Sequence, residues 1–137
     1  MKKRLTIIIL NFNTKKLISG CLTSLNDSIN KTDFNIVVCD NGSTDGSIEL
    51  IQRKFKNVKL VQNKYNLGFA KGNNAARKIS NTEYILFLNS DTIVPPETLK
   101  ACIEYMDKEK EVGAMTCKVL LPNGQLDSDT RRSFITP

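Results

Sequence analysis

Two short polar clusters carry most of the chemistry that this sequence offers. Asn89-Ser90-Asp91 follows the apolar run Tyr84-Ile85-Leu86-Phe87-Leu88 and precedes Thr92-Ile93-Val94-Pro95-Pro96. A buried strand thus delivers one carboxylate, flanked by an amide and a hydroxyl, to its carboxyl end. That end is where open α/β sheets bind ligands. Such oxygens suit a hard divalent cation that keeps waters and shares substrate phosphate oxygens. In the second cluster, Ile36-Val37-Val38-Cys39 runs into Asp40-Asn41-Gly42-Ser43-Thr44-Asp45-Gly46-Ser47. Part of this stretch is a strand-to-helix loop, with Asp45 expected to cap the next helix. Asp40 stands before the turn, where a carboxylate can accept the imide N–H of a uracil or thymine ring. The two strand ends together suggest a metal-assisted nucleotide-sugar site.

A third segment, Asn66-Leu67-Gly68-Phe69-Ala70-Lys71-Gly72-Asn73-Asn74, opens a helix. Gly68 and Gly72 permit close backbone approach, the helix start can favour an anion, and Lys71 can add charge. The same residues also read as a helix start whose small side chains pack on a sheet. The segment is neither the glycine fingerprint of dinucleotide sites nor a P-loop. Arg131-Arg132 can meet phosphate or form a solvated pair, and Lys15-Lys16 reads as a solvated face.

The elements that would position these residues alternate between strand and helix, the α/β pattern. Strands are expected over residues 5–10, 34–39, 58–62 and 84–88, and a further one over 112–121. Thr14 can cap a helix to about residue 29, with Leu17, Ile18, Cys21, Leu22, Leu25 and Ile29 on one face. Further helices are expected to about Phe55 (Ile48, Ile51 and Phe55 inward), after the loop Asn63 to Gly68 as far as about Ile79, and from Pro96 to about Lys108 (Leu99, Ile103 and Met106 inward). Pro122-Asn123-Gly124-Gln125 reads as a hairpin turn, and the tail from Asp127 to Pro137 has no clear period. The strands are nearly continuous in apolar residues, which predicts a mostly parallel sheet covered on both faces. Its carboxyl edge would gather Asn11/Asn13, Asp40/Asn41 and Asn89/Asp91.

Bulk composition sets the limits. A length of 137 residues favours one domain, 1–137, able to bury a core without staples. There is no histidine, which removes histidine-bound zinc and every Ser-His or Cys-His nucleophile scheme. The four cysteines form no Cys-x-x-Cys pair; Cys39 and Cys117 read as core packing, and a reducing compartment follows. The apolar run after Met1-Lys2-Lys3-Arg4 is too short for a signal sequence, and no segment approaches a membrane span. The net charge of +6 fits a solvated basic surface, or attraction to polyphosphate or to an anionic membrane face. No basic-aromatic interleaving argues for nucleic acid.

The sequence resembles a family 2 glycosyltransferase of the GT-A (Rossmann-like) fold. The residues that carry this are Thr6-Ile7-Ile8-Ile9-Leu10-Asn11-Phe12-Asn13, the Val38–Ser47 stretch, Asn66–Asn74 and Leu88-Asn89-Ser90-Asp91-Thr92, extended by Val112-Gly113-Ala114 and Arg131-Arg132. The Asn-Leu-Gly-Phe-Ala form and the Asn-x-Asp motif look most like the rhamnosyltransferase-like branch.

The resemblance implies that Asn11 and Asn13 line the nucleobase, with Asp40 as the base-binding carboxylate and Asn41 and Gly42 beside it. Gly68 and Lys71 would wall the nucleoside. Asn89 and Ser90 would lie against the nucleotide, and Asp91 would be a direct ligand of Mg2+ or Mn2+. Asn89 stands where the family carries an aspartate. Its neutral side chain would weaken metal affinity, or would hold ribose or a metal-bound water.

It further implies inverting transfer from a UDP- or dTDP-sugar to a glycan or lipid-linked acceptor. The acceptor half and the catalytic base are expected beyond Pro137, since Asp127 and Asp129 come too early. The chain is then the truncated, donor-binding part, poorly active alone. The setting would be cytoplasmic, in cell-envelope polysaccharide biosynthesis, with Met1 to Arg4 allowing peripheral contact with the cytoplasmic membrane face. No nucleic-acid partner is expected. The other classes are a non-catalytic nucleotide-binding or interaction domain and a sugar-nucleotide nucleotidyltransferase. The latter needs a glycine-rich basic loop after the first strand, and Asn11-Phe12-Asn13-Thr14-Lys15-Lys16 has no glycine.

Overall fold

The computed structural model describes residues 3–28 and 32–128. The β-branched runs form the two central strands, β1 (Leu5–Asn11) and β2 (Phe34–Asp40). β3 (Val58–Gln62) and β4 (Tyr84–Asn89) flank them in the order β3-β2-β1-β4, and every pairing is parallel. Ile7, Ile8 and Ile9 are all fully buried, so both faces of β1 are covered. This is why the central strands lack a polar alternation. The outer strands are less covered, and Phe87 on β4 is 51% exposed.

The helices are α1 (Lys15–Ser28), α2 (Ser47–Lys54), α3 (Gly68–Arg77) and α4 (Thr98–Lys108). On one face, Ile7, Ile9, Ile36 and Val38 pack with Ile18, Leu22 and Leu25 of α1, Ile51 of α2 and Leu99 of α4. On the other, Ile8, Val37 and Cys39 pack with Ala76 of α3. The expected α/β architecture, with a parallel sheet and helices on both faces, is present. Among the described residues, no helix is long and apolar enough to cross a membrane.

Several local expectations need correction. Leu17 is 51% exposed while Ile18 beside it is fully buried, so the apolar face of α1 begins at Ile18. Ile29 lies outside the described residues. α4 starts at Thr98, not Pro96, because the Thr98 N–H donates to the Pro95 carbonyl at 3.0 Å and closes a turn first. Pro96 also biases Pro95 away from helical geometry.

The chain divides into two compact units, one ending at Ile103 and one beginning at Glu104. In the second, residues 112–121 form no strand, and Cys117 is only half-buried. The expected turn is present: the Leu121 N–H donates to the Gln125 carbonyl at 2.8 Å, and Leu120 and Leu126 make a single antiparallel bridge. Among the described residues no strand pairs with 112–119, and a lone hairpin is marginal in water.

Gly72 marks the closest approach of helix and sheet. A Cβ there would lie 2.4 Å from Leu10 Cδ1 and 3.1 Å from both Asn41 amide atoms. Gly72→Ala is expected to cost about 1–3 kcal/mol through overpacking, read as a lower urea midpoint at unchanged slope. An unchanged midpoint would show that Leu10 moves aside freely.

Candidate functional site

The register brings the polar strand ends to one edge. Asn11 pairs with Asp40, Leu10 with Asn89, and Asp40 with Gln62. Three loops that are distant in sequence therefore start side by side.

The first cluster is built on Asp40, which has no exposed surface, and neither has Asn11. Asn11 Nδ2 donates to Asp40 Oδ2 at 2.6 Å and to Ser43 Oγ at 3.0 Å. The Gly42 and Ser43 N–H groups donate to Asp40 Oδ1 at 3.0 and 2.8 Å. The loop after β2 is thus wrapped round its own carboxylate. The loop after β1 interlocks with it: the Asn13 N–H donates to Ser43 Oγ at 2.9 Å, and the Thr44 N–H donates to Asn13 Oδ1 at 2.8 Å. Asn13 needs a φ of 54° for this, a conformation that asparagine tolerates better than most side chains. As arranged, Asp40 offers no surface to a base. It shapes the accessible groups around it, namely Asn13 and the partly exposed Gly42 and Ser43.

The second cluster is an amide relay centred on Asn41, which is buried. Asn63 Nδ2 donates to Asn41 Oδ1 at 2.9 Å. Asn41 Nδ2 donates to Asn66 Oδ1 at 3.1 Å and to the Gly68 carbonyl at 3.3 Å. Asn66 Oδ1 also accepts the Gly68 N–H at 2.8 Å. Asn41 therefore fixes the start of α3 to the end of β2. Gly68, at a φ of 76°, is exposed there, and so is Lys71 one turn on. Lys71 makes no hydrogen bond to the other expected site residues among those described.

The third loop carries Asn89, Ser90 and Asp91. It is pinned at both ends. The Cys21 thiol lies 3.8 Å from the Asn89 carbonyl, and the Val94 N–H donates to the buried Ser24 Oγ at 3.0 Å. The Ser90 and Thr14 hydroxyls hydrogen bond at 3.0 Å, and Thr14 also donates to Asn11 Oδ1 at 2.6 Å, so this loop joins the first cluster. Asn89 and Asp91 are exposed. Burial, and then the Asp91 charge, push the Cys21 thiol up to about 12, so it stays protonated.

No three His, Cys, Asp or Glu side chains gather into a metal-binding group among the described residues. Asp91, the Asn89 amide and the Ser90 hydroxyl are hard oxygen donors on one short loop. They fit Mg2+ or Mn2+ only if substrate oxygens and waters complete the shell.

Asp45 does more than the expected capping. Gly46, at a φ of 82°, takes the cap position of α2. Asp45 Oδ1 accepts from the Ser47 N–H and hydroxyl, while Oδ2 accepts the Lys15 N–H at 2.8 Å. One carboxylate thus serves the starts of α1 and α2, and the Thr14 hydroxyl is left for the loops. Asn66 was visible only as part of a helix-start motif, Thr14 only as a helix cap and Asn63 not at all, because polar side chains in loops look alike in sequence. Arg131-Arg132 and Asp129 lie outside the described residues.

Residues 6–132 match the sequence profile described as "Glycosyl transferase family 2". The poly(ribitol-phosphate) beta-glucosyltransferase of Bacillus spizizenii is 37% identical over 101 residues, 70% of this chain and 16% of that protein. The crystal structure of S. aureus TarS 1-349 in complex with UDP-GlcNAc superposes with a TM-score of 0.72 at 26% identity, over 88% of this chain and 41% of that one. The mannosyltransferase PcManGT from Pyrobaculum calidifontis, in complex with GDP-Man and Mn2+, gives 0.79 at 25% identity, over 90% and 37%. These likenesses place the fold in the GT-A class. The chain spans less than half the length of each of these proteins.

Two outcomes follow from the geometry. Asp40→Asn puts an amide where three donors converge and is expected to cost about 1–3 kcal/mol in urea denaturation. Unchanged stability with lost nucleotide affinity would instead make Asp40 a direct ligand contact. For Asp45, burial acts against the charged form, but hydrogen bonds from Ser47 and Lys15 outweigh it and hold the carboxyl below its ordinary range. Its stabilisation is therefore present above the ordinary carboxylate value and lost as pH falls through the lowered one. Asp45→Ala should cost about 1–2 kcal/mol at neutral pH, and its gap from the parent should narrow in acid. A gap constant down to strongly acidic pH would contradict this.

Proposed function

We propose that this chain, which belongs to glycosyl transferase family 2, forms the donor side of a sugar-transfer site and takes a nucleoside diphosphate sugar. The observation that carries the reading is the join at the sheet edge. Thr14 ties the β4 loop to the Asn11–Asp40–Ser43 cluster, and Asp91 is left open to solvent beside it. In this reading Asn13, Gly42 and Ser43 line the nucleoside, with Asn11, Asp40 and Asn41 holding them in place. Gly68 and Lys71 form the opposing wall, Lys71 supplying positive charge toward the diphosphate. Asn89 and Ser90 orient the ribose or a metal-bound water, and Asp91 holds the cation. When bound, Mg2+ or Mn2+ would neutralise the leaving diphosphate as a Lewis acid.

Transfer would proceed with inversion, and a carboxylate base, proposed to lie outside residues 1–137, would deprotonate the acceptor hydroxyl. The acceptor is proposed to be a cell-envelope polymer with phosphate in its backbone, carried on a glycan or lipid, since the Bacillus relative is named for poly(ribitol-phosphate). UDP-GlcNAc bound to the TarS structure favours a uridine donor. The Asn66–Ala70 form, with its likeness to the rhamnosyltransferase-like branch, favours a thymidine one. The setting is proposed to be the cytoplasmic face of the membrane.

Calorimetric titration with UDP and dTDP, with and without Mg2+ or Mn2+, tests the reading and selects the base. Metal-dependent binding is expected. Asp91→Ala should remove the metal dependence and leave stability within about 0.5 kcal/mol, as for other exposed loop positions. Equal affinity of Asp91→Ala and parent in the presence of metal would overturn the assignment.

A further inference from the structure

The charge of this chain is unevenly placed. Residues 50–82 contain eight lysines and arginines and no carboxylate; the rest of the chain contains twelve and fourteen. The whole positive excess therefore belongs to one stretch, which comprises the end of α2, the outer strand β3 and α3. It lies on both faces of the sheet, with α2 on one and α3 on the other.

On its own face α3 lines an open depression of about 460 Å³, formed by Leu67, Lys71, Asn74, Ala75, Arg77 and Lys78. Lys71 and Lys78 are two helical turns apart, about 10 Å along the axis. None of its three cations forms an ion pair among the described residues. The buried side of α3 is made by Gly72, Asn73 and Ala76, so the small residues face the sheet and the cations face outward. The depression shares Leu67 and Lys71 with the segment that Asn41 fixes beside the donor site.

We infer that the α3 depression docks a linear polyanion whose backbone repeats a phosphodiester, and so holds the acceptor polymer next to the donor. The inference rests on the proposed glycosyl-transfer reading and names a surface for its acceptor. Charge complementarity selects a polyanion. The Bacillus relative is named for poly(ribitol-phosphate), which selects a phosphodiester chain over a membrane. Lysines on an edge strand also block unwanted strand pairing. That role accounts for Lys59 on β3 but not for the cations on α3.

The test uses fluorescence anisotropy with a labelled synthetic ribitol-phosphate oligomer over a range of salt concentrations. Oligothymidylate of equal length and vesicles of phosphatidylglycerol and phosphatidylcholine are the comparison probes. The parent is expected to bind the ribitol-phosphate oligomer in preference to both. The paired substitution Arg77→Gln with Lys78→Gln should weaken oligomer binding about tenfold at moderate salt. It should also lower the slope of log Kd against log salt by about 1.4 to 1.8. UDP affinity and thermal stability should not change. Oligomer binding that is absent, that is insensitive to the paired substitution, or that is weaker than binding of the oligothymidylate or vesicles would overturn the inference. The donor reading has its own readout. UDP binding with an insensitive oligomer response removes only the α3 assignment. A sensitive oligomer response without UDP binding removes the glycosyl-transfer reading and leaves a polyanion-binding surface.

Discussion

The enclosed carboxylate of Asp40 is the constraint on which the rest of the site depends. A carboxylate taken out of water must recover its lost hydration from protein donors. Here those donors are the Asn11 amide and two successive backbone N–H groups, Gly42 and Ser43. Meeting that demand curls the β2 loop back on itself and aligns the end of β1 with the end of β2. The same geometry leaves Ser43 Oγ facing the β1 loop, where Asn11 and Asn13 use it. The local shape of the sheet edge is therefore set by solvation of one buried group, and the accessible atoms are arranged around it.

Much of the fold was legible because apolar continuity and helical spacing are strong signals. The stretch 58–62 reads as a strand and forms one, Val58–Gln62. The helix expected to follow the loop ending at Gly68 is present as α3, which takes Gly68 as its first residue. Failures came where pattern alone could not weigh competing partners. Leu17 has the right spacing but lies at the margin of the α1 face that Ile18 buries. Residues 112–121 have apolar content but no strand beside them.

The site was legible in its location and less so in its division of labour. Asp40 ends β2, and Asp45 and Asp91 follow strands in loops at the same sheet edge; residue type alone does not set their partners. The structure spends Asp40 on its own loop and Asp45 on two helix starts, and leaves Asp91 to solvent. Asp40 and Asp45 each accept two backbone N–H groups, Asp40 from its own loop and Asp45 from two helix starts. The roles of Asn63 and Asn66 were hidden for the complementary reason. Their importance comes from a three-amide relay, which exists only once β2 and α3 are packed together.

The hydroxyl pair of Thr14 and Ser90 joins groups 76 positions apart in sequence. β4 is the last strand of the sheet to be synthesised, yet it pairs with the first. Closing a loop of that size costs chain entropy before any contact rewards it. Residues 1–62 carry three neighbouring strands and their loops, whereas the Asn89–Asp91 loop reaches the sheet edge only when β4 crosses back to β1. A nascent chain would thus complete its polar edge in one late step.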